Sequence, residues 1–331
     1  MRILKQFLTS FLAVSLSFSA FANFTELQSF GANPGSLAAS YFSPQPQPQL
    51  QSSALVVLLH GCAQNGEQLA QQSGLLGLAK KHKFALLVPQ QGLGNNIKRC
   101  FNWYSADDYR KDEGESLSLK NMITHLKQQL ASENVYIIGL SAGGAMASSM
   151  LVNYPELFTA GAVVAGIPYP CADGLITAIS CMKNGPSQTS DELMTLVNAL
   201  YSHPNSQSNS QSNSQLNDQP NSKPKTWPRL SVWTGDNDGI VHPSNATLLA
   251  QQWTKLMHVN TEAKHKKLAG YQITQWQNDL KQPQVELVQV ANLGHGIMVN
   301  PNEENGGEAS DYLLAAPIST VKHVVKFWQL L

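Results

Sequence analysis

Gly139-Leu140-Ser141-Ala142-Gly143 is preceded by Val135-Tyr136-Ile137-Ile138 and followed by Gly144-Ala145-Met146-Ala147-Ser148-Ser149-Met150-Leu151. The first flank is short, β-branched and aromatic, the pattern of a buried parallel strand. The second is small and then apolar, the pattern of a helix. G-x-S-x-G between a strand and a helix makes a sharp turn that lifts a serine hydroxyl above the sheet. Its glycines and Ala142 are small where strand and helix approach each other. A glycine-rich turn that only packs is the alternative, and the flanks favour the raised serine.

Strand and helix patterns alternate on both sides of this segment. Ala54-Leu55-Val56-Val57-Leu58-Leu59 is an unbroken apolar run, which marks a strand covered on both faces. Residues 66–81 read as a helix, Phe84-Ala85-Leu86-Leu87-Val88 as a strand, and 113–131 as a helix. Further strands are predicted at 160–165, 230–234 and 285–290, with helices at 189–201, 244–258 and 317–330, the last amphipathic. Residues 24–42 read as an exposed first hairpin strand, followed by a proline-rich turn over 44–49. This alternation predicts an α/β fold: a mostly parallel central sheet with helices on both faces. Asn205 to Ser214 holds only Asn, Ser and Gln, so 203–226 is read as a disordered surface insertion within one domain spanning 23–331. The core pattern resumes directly after it, and no room is left for a separate carboxyl-terminal binding domain.

The chain has 331 residues, of which 13% are charged, with zero formal net charge. Low and balanced charge argues against nucleic acid or an anionic membrane as the main partner. Met1-Arg2-Ile3-Leu4-Lys5, a short apolar stretch from Phe7 to Leu16, and Ala20-Phe21-Ala22 together read as a signal peptide over 1–22. A membrane anchor is the alternative, but the apolar stretch is short for a span. The mature chain is expected to start at Asn23, outside the cytoplasm, secreted to the periplasm or the medium. All four cysteines, Cys62, Cys100, Cys171 and Cys181, follow that point, so disulfides are expected. Three pairings are possible. Cys62–Cys100 and Cys171–Cys181 are favoured, because each joins neighbouring loops on the expected active-site side of the sheet. No metal is expected, since the spacings match no zinc-ligand pattern.

A serine hydroxyl becomes nucleophilic when a base takes its proton, and the base needs a carboxylate to orient it. On a sheet of this kind the chain order is serine, acid, histidine. Of the histidines after Ser141, His295 lies in Leu293-Gly294-His295-Gly296, immediately after the last predicted strand. His203 borders the polar tract, His258 and His265 sit on or after a polar helix, and His323 lies on the terminal helix. The acid should follow the preceding strand, where Gly235-Asp236-Asn237-Asp238-Gly239 offers Asp236 and Asp238. Spacing alone does not separate them. Two N–H donors are needed for the tetrahedral oxyanion: Ala142 after the nucleophile, and Cys62 in the loop His60-Gly61-Cys62-Ala63-Gln64. His60 is read as a structural histidine that bridges loop backbone.

Leu59-His60-Gly61-Cys62-Ala63-Gln64-Asn65, Cys100-Phe101-Asn102-Trp103-Tyr104, the Ser141 segment and Ala165-Gly166-Ile167-Pro168-Tyr169 occur in that order. Together they resemble the secreted polyhydroxybutyrate depolymerase family, type 1 catalytic domain, which also holds feruloyl and acetylxylan esterases. The resemblance covers roughly residues 50–300. It implies an α/β-hydrolase fold, serine esterase activity without metal or organic cofactor, and disulfides near Cys62 and Cys100. The family's G-x-x-D-x-x-V pattern corresponds to Gly235, Asp238 and Val241, which favours Asp238 as the acid, and its G-H-G corresponds to Gly294-His295-Gly296. Short-chain poly(3-hydroxyalkanoate) or its oligomers are the implied substrate, with feruloylated or acetylated polysaccharide the runner-up. Trp103 and Tyr104 are candidate substrate contacts, with core packing as the alternative. The polar tract departs from the family pattern. A non-catalytic binding protein on a hydrolase scaffold is the rival reading, against which the complete Ser141, Asp238 and His295 set argues.

Overall fold

In the computed structural model the unbroken apolar run forms a strand whose six residues are all buried. Residues 24–44, 52, 54–202, 224, 226–259 and 261–331 are described by the structure. The predicted signal peptide lies outside them, as do 203–223 and 225 of the predicted insertion.

The strands, in chain order, are β1 (Thr25–Glu26), β2 (Ala38–Phe42), β3 (Ala54–Leu59), β4 (Ala85–Gln90), β5 (Asn134–Leu140), β6 (Ala160–Val164), β7 (Arg229–Gly235), β8 (Lys264–Leu268), β9 (Tyr271–Gln277), β10 (Pro283–Val290), β11 (Ile297–Val299) and β12 (Leu313–Ala315). The helices are α1 (Gly66–Gln72), α2 (Leu75–His82), α3 (Ala106–Tyr109), α4 (Gly114–Gln129), α5 (Ala142–Asn153), α6 (Leu175–Asn184), α7 (Ser190–Ser202), α8 (Ser244–Leu256) and α9 (Thr320–Phe327). Ten strands form one sheet in the order β1-β2-β4-β3-β5-β6-β7-β10-β9-β8. From β4 through β10 every neighbour is parallel, and antiparallel strands flank this centre on both sides. β11 and β12 form a separate parallel pair.

Successive side chains of a strand point to opposite faces, and β3 divides accordingly. Leu55, Val57 and Leu59 enter a core shared with α4, α5 and α8, whereas Ala54, Val56 and Leu58 enter a core shared with α1, α2 and α9. Burying each of these Val and Leu side chains contributes roughly 2 kcal/mol. Because the central strands are parallel, the loops after β3, β4, β5, β6, β7 and β10 meet along one edge. Open parallel sheets bind ligands at that carboxyl-terminal edge. No helix among the described residues is long and apolar enough to cross a membrane.

Three expectations are corrected. The helix predicted over 66–81 is two helices, α1 and α2, broken where Gly74 takes a φ of +87°. A side chain there would collide with the Asn305 backbone, so a distant loop imposes the break. His265 follows α8 as expected but stands on β8, within an unexpected β8–β9 hairpin that its mostly exposed, polar sequence concealed. Only β1 and β2 within 24–42 are strand, joined by an irregular segment.

Candidate active site

Ser141 stands between β5 and α5 with φ 57° and ψ −119°, a conformation that non-glycine residues rarely adopt. Its N–H donates to the Val164 carbonyl at 2.9 Å, and its carbonyl accepts from Ala145 N–H at 2.9 Å. These bonds hold the turn against its strain. Close packing explains the small neighbours: a Cβ on Gly139 would collide with the Gly143 backbone, and one on Gly143 with the carbonyls of Leu59 and His60. The serine is therefore presented at the edge of the sheet by a helix pressed directly onto β3.

His295 Nδ1 lies 2.8 Å from Asp238 Oδ2. The other oxygen of Asp238 accepts from Ile240 N–H at 2.8 Å and Val241 N–H at 2.9 Å, so the turn after β7 locks the carboxylate. Asp236 is exposed and accepts from Asn292 N–H at 2.6 Å, pinning the loop after β10 instead. Of the two aspartates, the structure brings Asp238 to the histidine. The Leu293 and Gly294 carbonyls press on Gly235, so the histidine loop folds back over the end of β7. No hydrogen bond joins the Ser141 hydroxyl to His295 among the described residues.

Next to the serine lies the loop after β3. A Cβ on Gly61 would sit 3.5 Å from that of Ser141. Within this loop Gly61 N–H donates to Gln64 Oε1 at 2.7 Å, Ala63 N–H to the Lys98 carbonyl at 2.7 Å, and Gln64 N–H to the Gly61 carbonyl at 3.3 Å. Cys62 N–H and Ala142 N–H enter none of the backbone hydrogen bonds among the described residues. Asn65 closes the loop as the N-cap of α1, accepting from Gln68 N–H at 2.9 Å. Disulfides join Cys62 to Cys100 and Cys171 to Cys181. The first ties this loop to the one after β4. The second ties the segment before α6 to the C-terminal half of that helix, whose end bonds the turn carrying Asp238: His242 N–H donates to the Met182 carbonyl at 2.8 Å.

Two buried titratable groups hold the Cys62 and Cys100 loops together. His60 is wholly enclosed, its Nδ1 2.7 Å from the Gly61 carbonyl and its Nε2 accepting from Gln91 N–H at 3.1 Å. Burial pushes its imidazole down to about 4, so the ring is neutral and structural. Glu115 on α4 is also wholly enclosed. It accepts from Gln91 Nε2 at 2.5 Å, Asn95 Nδ2 at 3.0 Å and Asn102 N–H at 2.9 Å. Burial pushes its carboxyl up to about 8, against the lowering effect of those donors. A lone glutamate at the start of a helix carries no sequence signal for this role.

Trp103 is partly buried against an apolar cluster that includes Ala145 and Val241, and it meets the Tyr104 ring edge-on at 5.7 Å. It thus packs between the helix after Ser141 and the turn after Asp238. Tyr312, absent from the sequence reading, stands edge-on to His295 with ring centroids 6.1 Å apart. It lies beyond the last core strand in a segment without periodicity, so nothing in the local sequence points to it.

A family model described as "Esterase PHB depolymerase" matches residues 37–208, more than half of the chain. Poly(3-hydroxyalkanoate) depolymerase C of Paucimonas lemoignei is 31% identical over 322 residues, 96% of this chain and 72% of that protein. The chain belongs to the PHB depolymerase esterase family. Members are carboxylic ester hydrolases, and feruloyl esterase B of Talaromyces funiculosus is a further relative, 26% identical over 71% of this chain and 63% of its own length. The acetyl xylan esterase of Aspergillus awamori superposes with a TM-score of 0.70 over 93% of this chain and 100% of that one, at 18% identity. That likeness is one of fold. The α/β-hydrolase architecture of this PHB depolymerase family esterase is therefore shared with a structure of low sequence similarity.

Proposed function

We propose that this chain is a serine esterase that cleaves carboxylic esters through an acyl-enzyme. Ser141 Oγ attacks the ester carbonyl carbon while His295 Nε2 takes its proton. Asp238 orients the imidazole and balances its charge, and the N–H groups of Cys62 and Ala142 receive the oxyanion. Collapse of the tetrahedral adduct breaks the bond to the alcohol oxygen, which leaves with the proton from His295. Water then attacks the acyl group by the same route, giving the acid and free Ser141. This course requires the serine hydroxyl to turn toward His295 when substrate binds. The single observation that carries the reading is the enclosed Asp238–His295 pair on the same sheet edge as the strained serine.

Short-chain poly(3-hydroxyalkanoate) or its oligomers are the substrate class we favour, supported by the depolymerase relative that matches nearly the whole chain. Two disulfides and the leader-like start support export from the cytoplasm. The decisive experiment compares wild type and Ser141→Ala on polyhydroxybutyrate suspension, hydroxybutyrate oligomers, methyl ferulate and acetylated xylan. Ser141→Ala is expected to lose all hydrolysis while keeping the wild-type circular dichroism spectrum. Retained turnover would remove the serine mechanism, and preference for either polysaccharide-type ester would replace the polyester assignment.

A further inference from the structure

The segment from Gln91 to Asn102, after β4, contains turns but no helix or strand, yet it anchors the Cys62 loop. Cys62 is bonded to Cys100, and Ala63 N–H donates to the Lys98 carbonyl. Where this segment sits therefore decides where the Cys62 N–H points. No strand ladder fixes its position, so side chains must do so.

One carboxyl reaches the segment at three places. Glu115 accepts from Gln91 at its start, Asn95 at its middle and the Asn102 backbone at its end. Gln91 passes the restraint onward: the same side-chain amide donates to the Cys100 carbonyl at 3.2 Å. Asn96 braces the far end, its Oδ1 accepting from Lys98 N–H at 2.9 Å and Cys100 N–H at 3.2 Å, and its amide donating to Asn102 Oδ1 at 2.7 Å. The backbone around Glu115 has no slack. A Cβ on Gly35 would lie 2.5 Å from the Glu115 Cα, and Gly114, with a φ of +42°, leaves no space for a side chain against the Asp107 carbonyl.

An apolar side chain of equal size would fill this space without the penalty of burying a carboxyl. Asp108 brings a charge of the same sign, which adds to that penalty. What the carboxyl supplies is direction, through three hydrogen bonds to separate points of one loop. We infer that Glu115 is a positioning residue for hydrolysis, holding the Gln91–Asn102 segment so that, through Cys100, the Cys62 N–H faces the oxyanion. The inference rests on the serine esterase reading above and adds to it a residue that does not touch substrate. Misplacing a group by about 1 Å can lower a rate on the order of a hundredfold, so a small movement of the segment is enough.

The test uses Glu115→Gln, which keeps the size but turns an NH2 group toward at least one of the three donors. Its kcat on ethyl butyrate should fall by about tenfold while KM stays within about twofold. The inhibition constant of butylboronic acid, whose tetrahedral adduct on Ser141 places an oxygen at the oxyanion position, should rise by about the same factor. Asn95→Ala removes one donor at a partly buried position and should show the same pattern at roughly threefold, which keeps the test open if Glu115→Gln does not fold. Glu286→Gln is the control. Glu286 is just as enclosed and accepts from Ser231, Gln275 and His323, but it lies under α9, so its variant should lose stability and keep kcat. In the Cys62→Ser, Cys100→Ser background, Glu115→Gln should change kcat by less than about threefold, because its route to Cys62 is cut. The role is overturned by unchanged kcat in both Glu115→Gln and Asn95→Ala, by an unchanged boronate constant, by an equal loss in Glu286→Gln, or by full additivity with loss of the disulfide. Failure of the underlying reading looks different: Ser141→Ala would then still cleave ethyl butyrate.

Discussion

Asp238 Oδ2 and His295 Nδ1 share a 2.8 Å hydrogen bond in which the aspartate side chain is wholly enclosed and the histidine side chain is 7% exposed. Both oxygens of the carboxylate are occupied, one by the ring and one by two backbone N–H groups. The aspartate therefore has one available position, and the histidine takes its orientation from it. Asp236, two residues earlier, faces solvent and holds the backbone of Asn292.

That difference predicts unequal effects from one chemical change. Asp238→Asn should lower kcat by about a thousandfold or more, since an amide at this point misdirects the imidazole proton. Asp236→Asn should lower it by no more than about threefold, through loosening of the histidine loop. Steady-state kinetics on a soluble ester check both, and equal losses would undo the assignment of Asp238.

Close packing beneath Ser141 gives a second expectation. Gly143→Ala places a methyl group against the Leu59 and His60 carbonyls and should cost about 3 kcal/mol of stability, with loss of activity as α5 shifts. Gly92→Ala meets nothing within 4 Å and should stay within about 0.5 kcal/mol of wild type. Chemical denaturation of both variants distinguishes a packed elbow from a merely flexible one.

The disulfides should differ in what they protect. Closing sequence separations of 38 and 10 residues, they restrict the unfolded chain by about 4 and about 3 kcal/mol respectively. Removing Cys62–Cys100 by paired serine substitution should also reduce kcat more than it changes KM, because the Cys62 N–H is freed to move. Removing Cys171–Cys181 should act mainly on stability. If the first pair leaves kcat intact, Cys62 is not an oxyanion donor.

Stability should depend on pH through His60 and Glu115 in opposite directions. Folded Glu115 keeps its proton up to about 8, against 4.5 for an ordinary glutamate, so its contribution is full below 4.5 and is lost as pH rises toward 8. Folded His60 resists protonation down to about 4, against 6.5, so its contribution is full above 6.5 and is lost as pH falls toward 4. The two offset each other between 4.5 and 6.5. From 6.5 to 8 the Glu115 contribution stands alone and stability should drop by roughly 1.4 kcal/mol per pH unit. Denaturant unfolding across this range measures the slope, which should vanish in Glu115→Gln.

Much of the architecture was legible because the relevant signals are local. Ala54–Leu59 announces a strand buried on two faces, and Gly139 to Gly143 announces a turn that only small residues tolerate. The break at Gly74 was not legible, since the cause is Asn305, more than two hundred residues away. The β8–β9 hairpin was missed because its exposed, lysine-rich strand carries little apolar alternation. Glu115 and Tyr312 were missed for a related reason: each is an ordinary residue until distant loops close around it.

The linear order of residues was enough to establish the alternation of strands and helices and the positions of Ser141 and His295 at strand ends, because side-chain periodicity and turn sterics act within a few residues. Residue spacing left open which aspartate reaches the histidine; that choice, and which ring stands beside it, was decided only on folding. Those choices depend on how loops from separate strands cross the sheet edge, and a shift of two residues along the turn separates an enclosed hydrogen bond from exposure to water.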